Sequence, residues 1–209
     1  MTPQVHDLLH LGDLDAVRRA NPDAPPWVWQ HLAPSAWVVV RRPEASNGLI
    51  PAGARGDGRT QRQALDVPEA SITEVVTPHQ LTTRLLDQPP AGAIAEAMAM
   101  LRGWFTALDA AGLDWGPVGA VGFELATGRR VTRASSDLDI VIRITDWPGP
   151  AVLWQPPATP VRLDCLLESP AGAVAWAEAA SDATDVLWRT SSSPRLAGNP
   201  RLAAARSAA

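Results

Sequence analysis

A chain of 209 residues with a net charge of −4 is long enough to bury a sizeable core, as one domain or two small ones. All 18 cationic side chains are arginine, but the mildly acidic balance leaves no global footprint for nucleic-acid binding, so any anion site must be local. A single cysteine, Cys165, excludes an internal disulfide, and no apolar run reaches the roughly 20 residues that span a bilayer.

The opening "MTPQVHDLLHLG" has neither a basic segment nor a long apolar one. No signal peptide is read there, and a cytoplasmic location with no membrane partner is expected. "AWVVVRR" at 36–42 is a β-branched run bounded by prolines and predicts a strand. The next stretch, "LIPAGARGDGRTQRQAL", is rich in glycine and arginine, and no regular strand is expected in it. Its Arg55, Arg59 and Arg62 are spaced i, i+4, i+7, which reads as a turn leading into a helix near Thr60. "TPHQLTTRLLD" predicts a helix with Thr77 as N-cap and Pro78 at the first helical position. The paired prolines of "QPPAG" at 88–92 then mark the expected boundary, between a small α+β domain at 1–90 and a second domain at 91–209.

The second half opens with "AGAIAEAMAMLRGWFTALDAAG", a long helix ended by Gly112. "LDWGPVGAVGFELATG" offers glycines at 116, 119 and 122 and a short helix ended by Gly128. A polar loop, "RRVTRASS", leads to a strand at Asp137–Ile144, and "VRLDCLLE" at 161–168 alternates as a second strand. Ser169 and Pro170 are expected to cap a helix over "AGAVAWAEAA"; "VLWRT" reads as a last short strand and the closing "RSAA" as frayed. Helices alternating with strands indicate an α/β or α+β layer with helices covering a mixed sheet, of which α+β is expected.

Strand periodicity of two puts Asp137, Asp139, Val141 and Arg143 on one face, with Leu138, Ile140, Ile142 and Ile144 on the other. In the second strand Asp164 shares a face with Arg162 and Glu168, while Leu163, Cys165 and Leu167 face the core. If the strands are neighbours, three aspartates converge on one surface, an oxygen ligand set of the kind magnesium takes. The other reading of a D-x-D at a strand head is a solvated face. Upstream, a glycine-rich turn opening a helix aims backbone N–H groups at a phosphate. Glycine turn, helix, D-x-D strand and a further strand with one Asp is the order of the polymerase-β-like nucleotidyltransferases.

Together, "WGPVGAVGFELATG", "SSDLDIVIR" and "RLDCLLE", in that order, resemble the phosphoribosyl-dephospho-CoA transferases, the holo-acyl-carrier-protein synthases of malonate decarboxylase. "HDLLHL", "PPWV", "WVVVRR" and "IPAGARGDGRTQRQA" resemble that family's N-terminal domain, so the likeness covers most of the chain. The resemblance implies a nucleotidyltransferase-like catalytic domain in the second half. It implies transfer of the phosphoribosyl-dephospho-CoA group from 2′-(5-triphosphoribosyl)-3′-dephospho-CoA to a serine of an apo acyl carrier protein, releasing diphosphate. Asp137 and Asp139 are then the essential pair holding Mg²⁺ or Mn²⁺, with Asp164 as third metal carboxylate by superfamily analogy. The phosphate turn is Gly119–Ala120 where such enzymes commonly have Gly-Ser. Its backbone N–H groups survive the change and the serine hydroxyl does not. Guanidinium forks suit triphosphate oxygens, so Arg55, Arg59, Arg62 and Arg143 are the donor-binding candidates the resemblance favours. By sequence alone the first three read equally as a solvated basic loop, and Arg143, like Arg162, as a partner of the neighbouring aspartates.

Two rival functions accompany this one: a nucleotidyltransferase using an ordinary NTP, and a non-catalytic module that binds the prosthetic-group precursor or the carrier. Arg195 is a weaker anion candidate. His6, His10, His31 and His79 lack zinc-ligand spacing. Cys165 reads as a core residue, Trp104 likewise, and Trp27 and Trp29 as core in preference to an adenine pocket.

Overall fold

The computed structural model describes residues 2–42, 47–56 and 61–207, and the chain divides into two compact units, Met1–Thr77 and Pro78–Ala209. The fold is α+β, as the alternation of elements indicates. No helix among the described residues is long and apolar enough to cross a membrane.

The first unit is a five-stranded antiparallel sheet built from β1 (Leu8–Leu11), β2 (Trp37–Val40), β3 (Leu49–Arg55), β4 (Arg62–Pro68) and β5 (Ile72–Val76), in the order β4-β3-β2-β1-β5. Helices α1 (Leu14–Ala20) and α2 (Pro26–Leu32) bury Val17, Val28 and Leu32 with that sheet's core. Asp13 caps α1 by accepting from the Ala16 N–H at 2.8 Å. Trp27 and Trp29 pack against this core, and the Arg18 guanidinium lies over the Trp29 ring at 5.0 Å.

The glycine- and arginine-rich stretch departs from its expected form. It supplies β3 and β4, a hairpin paired from Leu49↔Pro68 to Arg55↔Arg62. Period-two burial was hidden there because the inward residues of β3 are Ile50 and the small Ala52 and Ala54. Arg55 and Arg62 therefore face one another across a ladder instead of lying on a helix. Arg59 lies outside the described residues.

The second unit has a six-stranded sheet in the order β11-β10-β9-β8-β7-β6. Its strands are β6 (Asp114–Pro117), β7 (Leu138–Arg143), β8 (Leu163–Ser169), β9 (Gly172–Ala175), β10 (Asp185–Arg189) and β11 (Pro194–Gly198). Only β7 and β8 pair in parallel. Among the helices, α3 (Thr82–Asp87) follows a 3₁₀ turn at His79–Leu81, and α4 (Ala93–Ala110) buries Ile94, Met98, Leu101, Phe105 and Leu108 along one stripe. Gly112, at φ +72°, ends that helix as expected. Then come α5 (Gly119–Thr127), α6 (Trp176–Ala180) and α7 (Pro200–Ser207). The core gathers Leu138, Ile140 and Ile142 of β7, Cys165 and Leu167 of β8, Trp115 of β6 and the α4 stripe; Phe105 and Trp115 stack at 4.2 Å.

Three expectations are corrected in this unit. The segment read as one alanine-rich helix begins as β9, because Gly172, at φ +127°, turns the chain back from β8. A Cβ there would stand 2.7 Å from the Arg189 carbonyl, so the close approach needs glycine as well. Of the closing residues read as frayed, Arg206 and Ser207 belong to α7, and Ala208 and Ala209 lie outside the described residues. The division also falls between Thr77 and Pro78 and not near residue 90. The reason is packing: a Cβ at Gly116 of β6 would lie 2.1 Å from the Pro78 carbonyl oxygen, so the 3₁₀ turn rests directly on β6. Gly116→Ala is accordingly expected to lose about 2 kcal/mol or more of stability, the scale of an overpacked site whose neighbour is rigid backbone. Urea unfolding checks this, and an unchanged midpoint would contradict it.

Candidate active site

Asp137 is the last residue before β7, and Asp139 is the second residue within it. The parallel register sets Asp139 opposite Asp164, between the pairs Leu138↔Leu163 and Ile140↔Cys165. Paired residues on neighbouring strands project to the same face, about 4.8 Å apart along the backbone. With Leu138, Ile140 and Cys165 in the core, both carboxylates emerge on the opposite face, and Asp137 has the same parity as Asp139. For Asp139 and Asp164 the placement that period two required is therefore present.

Helix α5 approaches the same point. Val118 donates its N–H to the Asp139 carbonyl at 2.9 Å, and Gly119 opens the helix at φ +62°. A Cβ at Gly119 would stand 2.0 Å from Asp139 Oδ2. The glycine turn and the second aspartate are thus in contact, and the first N–H groups of α5, which have no acceptor within the helix, start beside a carboxylate. Ala120 follows, half-buried in the first turn.

Among the described residues no group of three or more His, Cys, Asp or Glu side chains gathers as a metal centre. The three carboxylates are not drawn into a preassembled cage, and Asp164 faces Arg162, with Arg162 Nη2 3.6 Å from Asp164 Oδ2. Magnesium is commonly held by one or two carboxylates plus substrate phosphates, with water completing the shell. The Asp137–Asp139 pair, with Asp164 alongside, is a donor set of that kind.

Arg143 is not brought to this point. It lies at the far end of β7, four residues and about 13 Å of strand from Asp139, and its Nη1 donates to Asp114 Oδ2 at 3.1 Å. His79 Nδ1 stands 3.7 Å from the other Asp114 oxygen. Arg55 and Arg62 belong to the first unit and are exposed; the aspartates belong to the second. Arg195 sits on β11 opposite Trp188. Trp104 is a core residue whose Nε1–H donates to the Val152 carbonyl at 2.8 Å.

Burial pushes the Cys165 thiol well above its ordinary range, and the neighbouring Asp164 charge adds to the rise. The thiolate is the reactive form. Cys165 is expected to stay unmodified by an aromatic disulfide reagent at pH 8 and to react at once in denaturant. Stoichiometric reaction of the native protein would contradict its core placement.

One feature beside the site was not read from the sequence. Glu124 of α5 accepts three hydrogen bonds on its Oε2, from Val131 N–H (2.8 Å), Thr132 N–H (2.8 Å) and Thr132 Oγ1 (2.7 Å). Partial burial pushes its carboxyl up, but these bonds and the Arg130 charge outweigh that and hold it below the usual carboxylate range. The bonds come from Val131 and Thr132, so the arginines of "RRVTR" gave no sign of them.

Comparison with known proteins gives matches over both units. Residues 84–200 match the C-terminal domain of phosphoribosyl-dephospho-CoA transferase MdcG, and residues 4–78 match its N-terminal domain. A phosphoribosyl-dephospho-CoA transferase of Azotobacter vinelandii is 40% identical over 208 residues, spanning 96% of this chain and 95% of that protein. One of Pseudomonas putida is 36% identical over 213 residues, 99% of this chain and 98% of the relative. One of Klebsiella pneumoniae is 36% identical over 214 residues, covering 95% and 96%. No solved structure matches the chain.

Proposed function

Because the chain belongs to the phosphoribosyl-dephospho-CoA transferase family, we propose that it moves the phosphoribosyl-dephospho-CoA group from 2′-(5-triphosphoribosyl)-3′-dephospho-CoA onto a serine of the apo acyl carrier protein of malonate decarboxylase. The serine Oγ attacks the phosphorus nearest the ribose. A new P–O bond forms, the bond to the next phosphate breaks, the hydroxyl proton passes to a protein carboxylate, and diphosphate leaves with the bonding electron pair. The contact between the Gly119 turn and the Asp139 carboxylate carries this reading. With the Asp139↔Asp164 register it sets backbone donors and carboxylates at one spot. The same order of glycine turn, helix, D-x-D strand and single-Asp strand supports placement among the polymerase-β-like nucleotidyltransferases.

Each residue has a distinct part. The N–H groups at Gly119 and Ala120 orient phosphate oxygens without a side chain intervening. Asp137 and Asp139 would hold Mg²⁺ or Mn²⁺, with Asp164 assisting; that ion would neutralise charge on the departing diphosphate. Asp164, half-exposed and in register with Asp139, would take the serine proton. Arg55, Arg59 and Arg62 would contribute guanidinium forks to donor phosphate. A cytoplasmic setting fits a chain with one buried cysteine.

Diphosphate release separates this reading from its rivals. The protein is incubated with the apo carrier and either the CoA-derived donor, ATP or CTP. Release with the CoA-derived donor alone is expected. Release with ATP or CTP alone would assign an ordinary nucleotidyltransferase, and none with any donor would leave a binding module.

A further inference from the structure

The loop between α5 and Asp137 carries three arginines, Arg129, Arg130 and Arg133, all exposed. Among the described residues none of the three forms an ion pair. In a chain of net charge −4, such a run is a local cationic surface in need of an anion. It is also held in place. Val131 and Thr132, at the middle of the run, are bound to α5 through three hydrogen bonds to one Glu124 oxygen. Arg133 is then fixed by a closed turn. Its N–H donates to Ser136 Oγ at 2.9 Å, and the Ser136 N–H donates to the Arg133 carbonyl at 2.9 Å. Such a turn keeps its end residues within about 7 Å, and the next residue is Asp137.

We propose that Glu124 is a positioning residue whose carboxylate ties the arginine loop to α5, so that Arg133 meets the phosphates of the donor beside Asp137 and Asp139. The ligand chemistry is a polyphosphate. Two aspartates and a triphosphate at one point concentrate negative charge, and a guanidinium on the residue that leads into the aspartates offsets it with paired donors. Without the Glu124 tie, the loop from Gly128 to Ser136 would be anchored only at its ends, and ordering it would fall to the ligand. This inference rests on the transferase reading for the identity of the donor, but its polyphosphate site is testable apart from transfer.

The test uses the full chain with Glu124→Ala, Glu124→Gln and Arg133→Ala. Three readouts are taken: amide hydrogen exchange at Val131 and Thr132, binding of inorganic tripolyphosphate, and the donor KM and kcat of transfer to the carrier. Glu124→Ala is expected to speed exchange at those two amides while leaving β7 and β8 protected. Tripolyphosphate binding should weaken about tenfold in both Glu124→Ala and Arg133→Ala, the scale of one charge-assisted contact. The donor KM should rise by the same factor with kcat largely kept. Glu124→Gln, which retains an acceptor oxygen, should recover part of both effects, and Arg133→Ala should leave the exchange unchanged.

Wild-type tripolyphosphate affinity in Arg133→Ala would overturn the proposal. So would faster exchange in Glu124→Ala with undiminished affinity, which would make Glu124 a structural tie only. A rise confined to the carrier KM would assign the loop to the acceptor protein and overturn it as well. Tripolyphosphate binding needs no transfer, so a wild-type protein that binds it through Arg133 yet leaves the carrier unmodified would fail the transferase reading alone.

Discussion

Asp139→Asn is expected to abolish transfer while leaving the fold intact. The substitution keeps the size of a side chain that lies against Gly119 and the backbone bond from the Val118 N–H to the residue-139 carbonyl. What it removes is one negative charge at the point where the two strands set Asp139 beside Asp164. A hard cation held by one or two carboxylates loses much of its affinity when either is neutralised. Turnover should fall by about a hundredfold to a thousandfold, the scale of removing one electrostatic stabiliser of a transition state. Asp137→Asn should behave alike, and the double variant should be little worse than either, since the pair acts as a unit. Far-ultraviolet circular dichroism and thermal melting verify the fold; kcat under saturating metal gives the effect. Turnover near wild type in either variant would remove the pair from the chemistry.

Gly119→Val is the second large expectation. Residue 119 is held at φ +62°, where a side chain costs roughly 1–2 kcal/mol and a β-branched one is a clear outlier. Its Cβ would also fall 2.0 Å from Asp139 Oδ2, so the carboxylate must swing away or the start of α5 must move. Either shift separates the Gly119 turn from the aspartate. Both stability and kcat should therefore fall, with kcat falling further than the loss of folded protein explains. Gly119→Ala should show the same pattern more weakly, because the clash begins at Cβ but the branch is absent. Wild-type kcat in Gly119→Ala, measured per folded molecule, would mean that the Gly119–Asp139 contact does not matter to transfer.

The strands that carry the aspartates, β7 and β8, were the most legible part of the chain. Leu138, Ile140 and Ile142 alternate with Asp139 and Val141, and a bulky inward face on β7 makes period two plain; Cys165 and Leu167 do the same for β8. Once those faces are set, Asp164 follows Asp139 by register. The hairpin of β3 and β4 was not legible, because Ala52 and Ala54 fill its inward positions and Pro51 and Gly53 lie between them. Small residues blur the contrast on which periodicity depends. Alanine misled again at β9, where helix propensity was overridden by the pairing that Gly172 begins. The Gly128–Ser136 loop has no periodicity at all. Its organisation rests on Glu124, seven residues before Val131 and on a different element, and a single carboxylate on a helix carries no local sign that it will collect three donors from a later loop. Arg143 shows the converse. Its parity with Asp139 was right, but parity says nothing about distance along a strand, and its partner Asp114 comes from β6.

Intact-mass spectrometry of the apo acyl carrier, after incubation with this protein, Mg²⁺ and the triphosphoribosyl donor, tests the proposed transfer most directly. The carrier should gain the mass of the donor less that of diphosphoric acid, on one serine, and a carrier with that serine replaced by alanine should gain nothing. An unmodified carrier in the presence of folded, donor-binding protein would contradict the transfer. So would a gain equal to a nucleotide when an ordinary NTP replaces the donor.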